Sequence, residues 1–334
     1  GHLPAVHQSG SVATACDFDR DGDLDLFVGS RVIPGRYPLS PNSYLYLNEG
    51  SKFIIATKQV PAGFNKMGLV TSALWSDADG DGWTDLLVTV EWGPVRLFLN
   101  KKGRLLEATE AAGLMRHTGW WNGIDGRDID GDGDMDYAVT NFGLNTKYHL
   151  KAGKPLKAYY GIFDETGRER FVEAQWEGKT LFPVRGKSCS TEAMPHLKGK
   201  YRSFVDFAKA TLPQIYTPKC LETAYKLEAN TLESGILLND GSGKFAFKPL
   251  PRLAQIAPGF GVSLTEIDGD GVADLYLVQN FFANQHETGK MAGGLSLLLK
   301  GTGGGGFKPI WPKESGLILS TDSKALAVSD LNND

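Results

Sequence analysis

One nine-residue pattern recurs along the chain and sets its period. Asp17-Phe-Asp-Arg-Asp-Gly-Asp-Leu-Asp25, Asp77-Ala-Asp-Gly-Asp-Gly-Trp-Thr-Asp85, Asp128-Ile-Asp-Gly-Asp-Gly-Asp-Met-Asp136 and Glu266-Ile-Asp-Gly-Asp-Gly-Val-Ala-Asp274 carry carboxylates at positions 1, 3, 5 and 9 and glycine at position 6. Like charges at this spacing repel, so a bare loop of this kind is destabilised. A hard cation reverses that effect. Alternate side chains fold inward, glycine permits the tight turn, and the last aspartate closes the shell. Oxygen-only ligation favours calcium over zinc or copper. The expected ligands are Asp17, Asp19, Asp21, Asp23 and Asp25; Asp77, Asp79, Asp81 and Asp85; Asp128, Asp130, Asp132, Asp134 and Asp136; and Glu266, Asp268, Asp270 and Asp274. A partial copy at the last residues adds Asp330, Asn332 and Asp334. An EF-hand would need Glu at position 12, where this chain has Val28, Val88, Val139 and Leu277.

The flanks of each loop are short and rich in β-branched and aromatic residues, as in Val12–Cys16 before the first loop and Leu24–Val28 within and after it. They read as strands. A second hairpin follows in each repeat, with Asn or Gly between apolar runs: Tyr44–Asn48, Leu97–Asn100, Ile236–Asn239 and a looser Leu297–Lys300. Four antiparallel strands in roughly 45–60 residues match one blade of a β-propeller. The expected class is therefore all-β, a β-propeller of about six or seven four-stranded blades with acidic calcium loops and a small helical insertion. Repeats start near 10, 68, 120, 157, 259 and 324. The fourth, at Tyr159–Asp164, has lost its carboxylate ladder and is expected to hold no ion. Residues 188–233 are expected as a helical insertion inside that fourth blade, with Tyr201, Phe204, Val205, Ala208 and Leu212 on one apolar face and a helix start at Thr217-Pro218. Residues 1–334 thus read as a single β-propeller domain, and the unfinished sixth repeat implies further blades or a further domain past Asp334.

The loops and blades resemble the FG-GAP/VCBS repeats of integrin α-subunit propellers. The resemblance is closer to bacterial VCBS-repeat proteins related to cartilage acidic protein, which often carry an ASPIC/UnbV domain. It rests on Arg31–Pro38, Gly119-Trp-Trp-Asn122, Asn141–Tyr148, Leu250–Gln255 and the helical insertion, and covers nearly the whole chain. It implies a calcium-bearing propeller whose ligand face lies away from the acidic loops.

Charge is distributed unevenly. The four loops hold 18 of the 39 acidic residues, so the rest of the chain carries 21 against 35 Lys and Arg, formally +14. Four bound Ca²⁺ would move the formal net charge from −4 to about +4. Lys147, Lys151, Lys154 and Lys157 cluster, as do Lys198, Lys200 and Arg202. These clusters read either as a solvated face or as a mark of an anionic partner such as an acidic polysaccharide. No apolar run is long enough to span a membrane, and the opening residues do not read as a signal peptide. Three cysteines are too few for a disulfide framework: Cys189 and Cys220 are candidates for pairing, and Cys16 reads as a small buried residue. Carboxylate-rich calcium sites suit millimolar calcium, so the expected location is extracellular, periplasmic or at the cell surface.

The second strand of each blade runs about 17 Å from its acidic loop to the opposite end. The strand-end residues and the long connections that follow define the expected ligand-binding face: Arg31, Arg36, Tyr37, Glu91, Trp92, Trp121, Asn141, Asn145, Asn280 and Phe282. Asn141 and Asn280 read equally well as caps of strand ends. Two functions stay open. The first is a non-catalytic module for adhesion, scaffolding or glycan capture, with a glycan or extracellular protein as partner and neither nucleic acid nor a membrane span. The second is a hydrolase or lyase acting on polysaccharide, with an acid pair drawn from Glu91, Asp125 or Glu287. No G-x-S-x-G or H-E-x-x-H occurs, and the six histidines show no ligand spacing.

Overall fold

The computed structural model describes residues 3–4, 6, 9–284 and 288–329. The partial loop with Asp330, Asn332 and Asp334 lies outside the described residues, as does Glu287. Short apolar segments separated by loops that bend at glycine form antiparallel sheets, as their periodicity predicts. The first sheet runs β1 (Ser9–Cys16), β2 (Asp25–Val32), β3 (Tyr44–Asn48) and β4 (Phe53–Ile55), in that order. The second runs β5 (Leu69–Ser76), β6 (Asp85–Gly93), β7 (Arg96–Asn100) and β8 (Leu105–Glu107), with β9 (Gly119–Trp120) added to the far end of β6. The third starts with β10 (Ile124–Arg127) and β11 (Asp136–Val139).

The chain then leaves that sheet. Tyr148–Thr231 form a compact unit of their own, separate from the unit Gly1–Lys147 with Leu232–Asp334. The inserted unit contains β12 (Leu156–Ile162), β13 (Glu169–Glu177), β14 (Thr180–Pro183) and β15 (Tyr225–Ala229), ordered β14-β13-β12-β15. Between β14 and β15 lie five short helices, α1 (Lys187–Ala193), α2 (His196–Lys200), α3 (Phe204–Lys209), α4 (Leu212–Tyr216) and α5 (Pro218–Thr223). Its core gathers Tyr159, Phe163, Val172, Leu197, Phe207, Leu212, Ile215 and Leu221.

The third sheet is completed afterwards by β16 (Gly235–Asn239) and β17 (Phe245–Pro249), with Ala138 opposite Ile236. The hairpin at Ile236 therefore belongs to the third repeat, where the sequence pattern placed it in a fourth. The helices belong to the inserted unit, which has its own sheet. Alternation of apolar residues identifies a strand but not its partner, and here the partners lie on either side of an 84-residue unit. A last sheet runs β18 (Gly259–Thr265), β19 (Asp274–Gln279), β20 (Leu297–Gly301) and β21 (Phe307–Ile310), followed by a short helix α6 (Pro312–Ser315).

The expected helical stripe is also divided. Ser203 caps α3 by accepting the Asp206 N–H, and Thr211 and Gln214 form a capping box on α4, so the chain restarts its helix twice. Phe207 and Leu212 are buried while Phe204 and Val205 are exposed, which reverses part of the predicted face. All three cysteines are free thiols.

Within the larger unit, apolar cores lie between consecutive sheets. Phe18, Phe27 and Leu45 of the first meet Val70, Leu86 and Phe98 of the second. Leu87 and Leu97 meet Tyr137, Val139 and Leu237 of the third. Ala138 and Ile236 meet Val262, Leu275 and Leu299 of the last. A sheet covered on both faces has little need of polar alternation, and all but the last residue of β6 is buried.

Candidate metal centres

The four acidic loops occupy equivalent places, each joining the first two strands of a sheet in the larger unit. In each, three carboxylates at positions 1, 3 and 9 bring an oxygen apiece within 4.8 Å of one another: Asp17, Asp19 and Asp25; Asp77, Asp79 and Asp85; Asp128, Asp130 and Asp136; Glu266, Asp268 and Asp274. The glycines at position 6 take the left-handed conformation the turn requires, with φ of 97° at Gly22, 84° at Gly82, 95° at Gly133 and 80° at Gly271. Position 4 is left-handed as well. It is glycine in three loops and Arg20, at φ 62°, in the first.

Position 9 does more than its place in the motif suggests. Its carboxylate is almost fully buried in every copy. One oxygen accepts the N–H of position 2, and the other accepts the N–H of the residue that ends the third strand. Asp85 takes Ala78 N at 2.8 Å and Asn100 N at 2.6 Å. Asp25 takes Phe18 N and Asn48 N, Asp136 takes Ile129 N and Asn239 N, and Asp274 takes Ile267 N and Gly301 N. Each aspartate thus ties the loop to the turn of the second hairpin.

The remaining oxygens are suited to a cation. Asp17 Oδ1, Asp19 Oδ1, Asp77 Oδ1 and Asp130 Oδ1 are buried with no hydrogen-bond partner. Buried carboxylate oxygens without partners are costly. A divalent ion with oxygen preference would satisfy them, so these residues fit calcium. Position 5 leans differently: Asp81 and Asp132 accept the N–H of position 7, from Trp83 at 2.9 Å and Asp134 at 3.0 Å. Two loops also touch a lysine. Lys101 pairs with Asp79 and with Asp81, the latter at 2.5 Å, and Lys300 pairs with Asp268 and with Asp270, the latter at 3.0 Å.

Burial pushes the Asp25 carboxyl up to about 6 and Asp85 up to about 7, and raises Asp136, against the lowering effect of the two N–H donors each accepts. An unfolded aspartate titrates near ~3.9. Between that value and the raised one, the folded chain holds protons that the unfolded chain has released. The resulting stabilisation is complete below about pH 4 and disappears as the pH rises through 6 to 7. Cation-free protein in chelator is therefore expected to melt a few degrees higher at pH 5.5 than at pH 8. A higher melting temperature at pH 8 would contradict these shifts. With calcium present the trend reverses, because the ion needs ionised ligands.

One constellation carries no strong signal in the sequence. Asn100 Nδ2 donates to Thr84 O of its own loop and, at 2.9 Å, to Phe18 O of the preceding loop, while its Oδ1 accepts Gly103 N. Asn239 repeats this with Met135 O, Ala78 O, Gly241 N and Gly243 N. The hairpin asparagines thus clasp neighbouring loops together. Their only visible signature is the Asn that closes three of the four third strands.

The strand-end residues are largely committed to internal contacts. Glu91 is buried and accepts Arg31 Nε at 2.9 Å. Trp92 is 5% exposed, sits at φ 58°, and donates its indole N–H to Tyr37 Oη at 2.7 Å. Trp92 meets Trp120 edge-on at 4.6 Å, Trp120 meets Phe142 at 5.1 Å, and Phe142 meets Phe281 at 6.4 Å. Asn141 is fully buried and accepts the N–H groups of Trp120 and Phe142. Asn280, also buried, bonds both backbone groups of Gly294 and the Thr321 carbonyl. Both asparagines hold backbone, as the strand-cap reading has it. Trp121 is 0% exposed in the core against Phe247, so it presents no surface to a ligand. Arg31, Arg36 and Asn145 are exposed, and Tyr37 and Phe282 are half-buried. Of the carboxylates considered for acid–base work, Glu91 is paired, and Asp125 accepts Leu264 N at 2.7 Å and its neighbour Gly126 N. The inserted unit contains a cavity of about 110 Å³ lined by Arg170, Glu173, Arg185, Ser190 and Tyr216, in which Glu173 accepts the Tyr148 hydroxyl at 2.6 Å.

No curated protein matches the chain. Among solved structures it is similar to the biofilm matrix protein Bap1 of V. cholerae at a TM-score of 0.30 and 11% identity, over 91% of this chain and 61% of that one. The chain thus spans less than two thirds of Bap1. It is similar also to BBS1N, solved in complex with ARL6DN, at a TM-score of 0.24 and 10% identity, over 91% and 92% of the two chains. At these scores neither likeness identifies a shared fold. A family model described as an FG-GAP-like repeat matches residues 17–88 and again 77–139, each match running from one acidic loop into the strand after the next, and over that span the chain is built of FG-GAP-like repeats.

Proposed function

We propose that this chain is a calcium-stabilised, propeller-like module that serves outside the cytoplasm as a non-catalytic binding or scaffold surface for a glycan or a protein. The observation that carries the reading is the fourfold recurrence of three carboxylate oxygens within 4.8 Å at the root of two strands. A cation there neutralises a loop and stiffens a strand pair, which is a structural task. FG-GAP-like repeats support the same architecture. An all-oxygen donor set favours calcium, and carboxylate-rich sites of this kind suit calcium-rich surroundings. Among the described residues no helix is long and apolar enough to cross a membrane.

The partner surface consists of the exposed Arg31, Arg36 and Asn145 with the half-buried Tyr37 and Phe282, at the strand ends and the connections that follow. The commitment of Glu91 to Arg31 and of Asp125 to backbone N–H groups favours binding over polysaccharide cleavage. The test is a glycan array and a protein-overlay screen, each run in calcium and in chelator. Binding in calcium that falls at least about tenfold in an R36A/Y37A double variant is the expected outcome. Undiminished binding in that variant excludes this surface. Cleavage of any bound polysaccharide overturns the non-catalytic reading.

A further inference from the structure

The four acidic loops are not equivalent. In the first and third, the position-3 carboxylates, Asp19 and Asp130, each have a buried oxygen with no partner. In the second and fourth the same position is ion-paired, Asp79 with Lys101 and Asp268 with Lys300. These paired carboxylates belong to the clusters that would hold a cation, so ammonium and ion compete for the same oxygens. The loops differ in charge in the same sense. The first and third contain five acidic residues, with Asp23 and Asp134 at position 7. The second and fourth contain four, with Trp83 and Val272 there.

The two lysines reach their loops from different places, so one repeated sequence slot does not explain them. Lys101 follows Asn100, whose N–H binds the position-9 aspartate. Lys300 precedes Gly301, which makes the same bond in the last sheet. The slots equivalent to Lys101 in the first and third sheets hold Glu49 and Asp240, and those equivalent to Lys300 hold Leu47 and Leu238. Among the described residues, no lysine or arginine side chain is ion-paired with the carboxylates of the first or third loop. The one arginine inside the first loop, Arg20, turns away. It donates to Gly82 O and lies 4.2 Å from the centre of the Trp83 ring, adding positive charge beside the second loop.

We propose that the loops form two classes of cation site: an open pair at Asp17–Asp25 and Asp128–Asp136, and a lysine-guarded pair at Asp77–Asp85 and Glu266–Asp274 where the ion must displace Lys101 or Lys300. This rests on the calcium reading above. The guard is modest, because both lysine side chains are about 40% exposed and a displaced ammonium can pass into water. Its charge stays close to the incoming ion, and the guarded loops offer one carboxylate fewer, so weakening by about tenfold or more is expected. The open pair then fills first and holds its ion at low calcium. The guarded pair is held together without an ion by its own lysine and fills only when calcium is abundant.

Calorimetric titration of the cation-free protein with calcium tests this. The expected result is two tight and two weaker sites, with the weaker pair tightened about tenfold in a K101M/K300M double variant and the tight pair unchanged. The part of the tryptophan-sensitised terbium luminescence that is lost on Trp83→Phe gives a second readout weighted to the second loop, and K101M alone should shift its midpoint to lower terbium. Four equal sites, or weak sites unmoved by both substitutions, overturn the two-class proposal and leave the calcium reading intact. Absence of any binding overturns both. Should the double variant fold poorly, the terbium midpoint of K101M decides alone.

Discussion

Saturating calcium is expected to raise the melting temperature of the chelated protein by about 10 °C or more. An ion present at a hundredfold excess over its dissociation constant contributes about 2.7 kcal/mol per site, provided the unfolded chain does not bind it. A domain of this size shifts by about 2–4 °C per kcal/mol. Two filled sites are therefore enough for the effect, and four would exceed it. The sign follows from the geometry. Without a cation, four oxygens of the clusters, on Asp17, Asp19, Asp77 and Asp130, are buried and unpartnered, and carboxylates crowd at every loop. With a cation, the same oxygens become ligands. Magnesium should do much less, since it demands a tighter octahedral shell and keeps its waters. An unchanged melting temperature in calcium would end the structural-calcium reading.

The second large effect is expected at Asn100, and it does not depend on a metal. Its side chain is completely buried and makes three hydrogen bonds, one of which crosses from the second sheet to Phe18 in the loop of the first. Asn100→Ala strands the buried Phe18 carbonyl, the half-buried Thr84 carbonyl and the Gly103 N–H. At about 1 kcal/mol or more for each abandoned group, the loss is about 3 kcal/mol, or about 6–12 °C. Asn48 provides the internal control. It closes the equivalent strand of the first sheet, but its side chain is half-buried and, among the described residues, accepts only Gly50 N, at 3.1 Å. Asn48→Ala should cost about 1 kcal/mol or less. Thermal melts of both variants, in calcium and in chelator, check the claim. Equal losses at Asn48 and Asn100 would show that the clasp between loops contributes nothing. A loss at Asn100 that appears only in calcium would show that it acts through ion binding.

The repeat was legible in the sequence because its causes are local. Carboxylates at alternate positions repel unless a cation intervenes, glycine at position 6 permits a left-handed turn, and Asn or Gly between apolar runs closes a hairpin. Each of these rules acts within about ten residues, and the structure follows them at Gly22, Gly82, Gly133 and Gly271. The strand-end face was legible only in outline. The spacing located Trp92, Asn141 and Asn280 at the ends of their strands. It could not show that Trp92 would meet Trp120 edge-on, or that the asparagine amides would be consumed by Trp120, Phe142, Gly294 and Thr321. A polar or aromatic residue at a strand end has the same sequence signature whether it meets solvent or its neighbours.

By itself, then, the amino-acid sequence determined the period of the chain, the strand-loop-strand unit, the oxygen-only donor set at four loops and the preference for a hard cation. Tertiary structure alone decided that β11 pairs with β16 across an intervening unit, that the last aspartate of each loop is spent on two backbone N–H groups, and that Lys101 and Lys300 reach two of the four loops. The physical reason is range. Turn geometry and charge repulsion act between near neighbours in the chain. Strand partnership, burial and ion pairing depend on which distant segments the packing brings together, and the alternation of residues within one segment does not encode its partner.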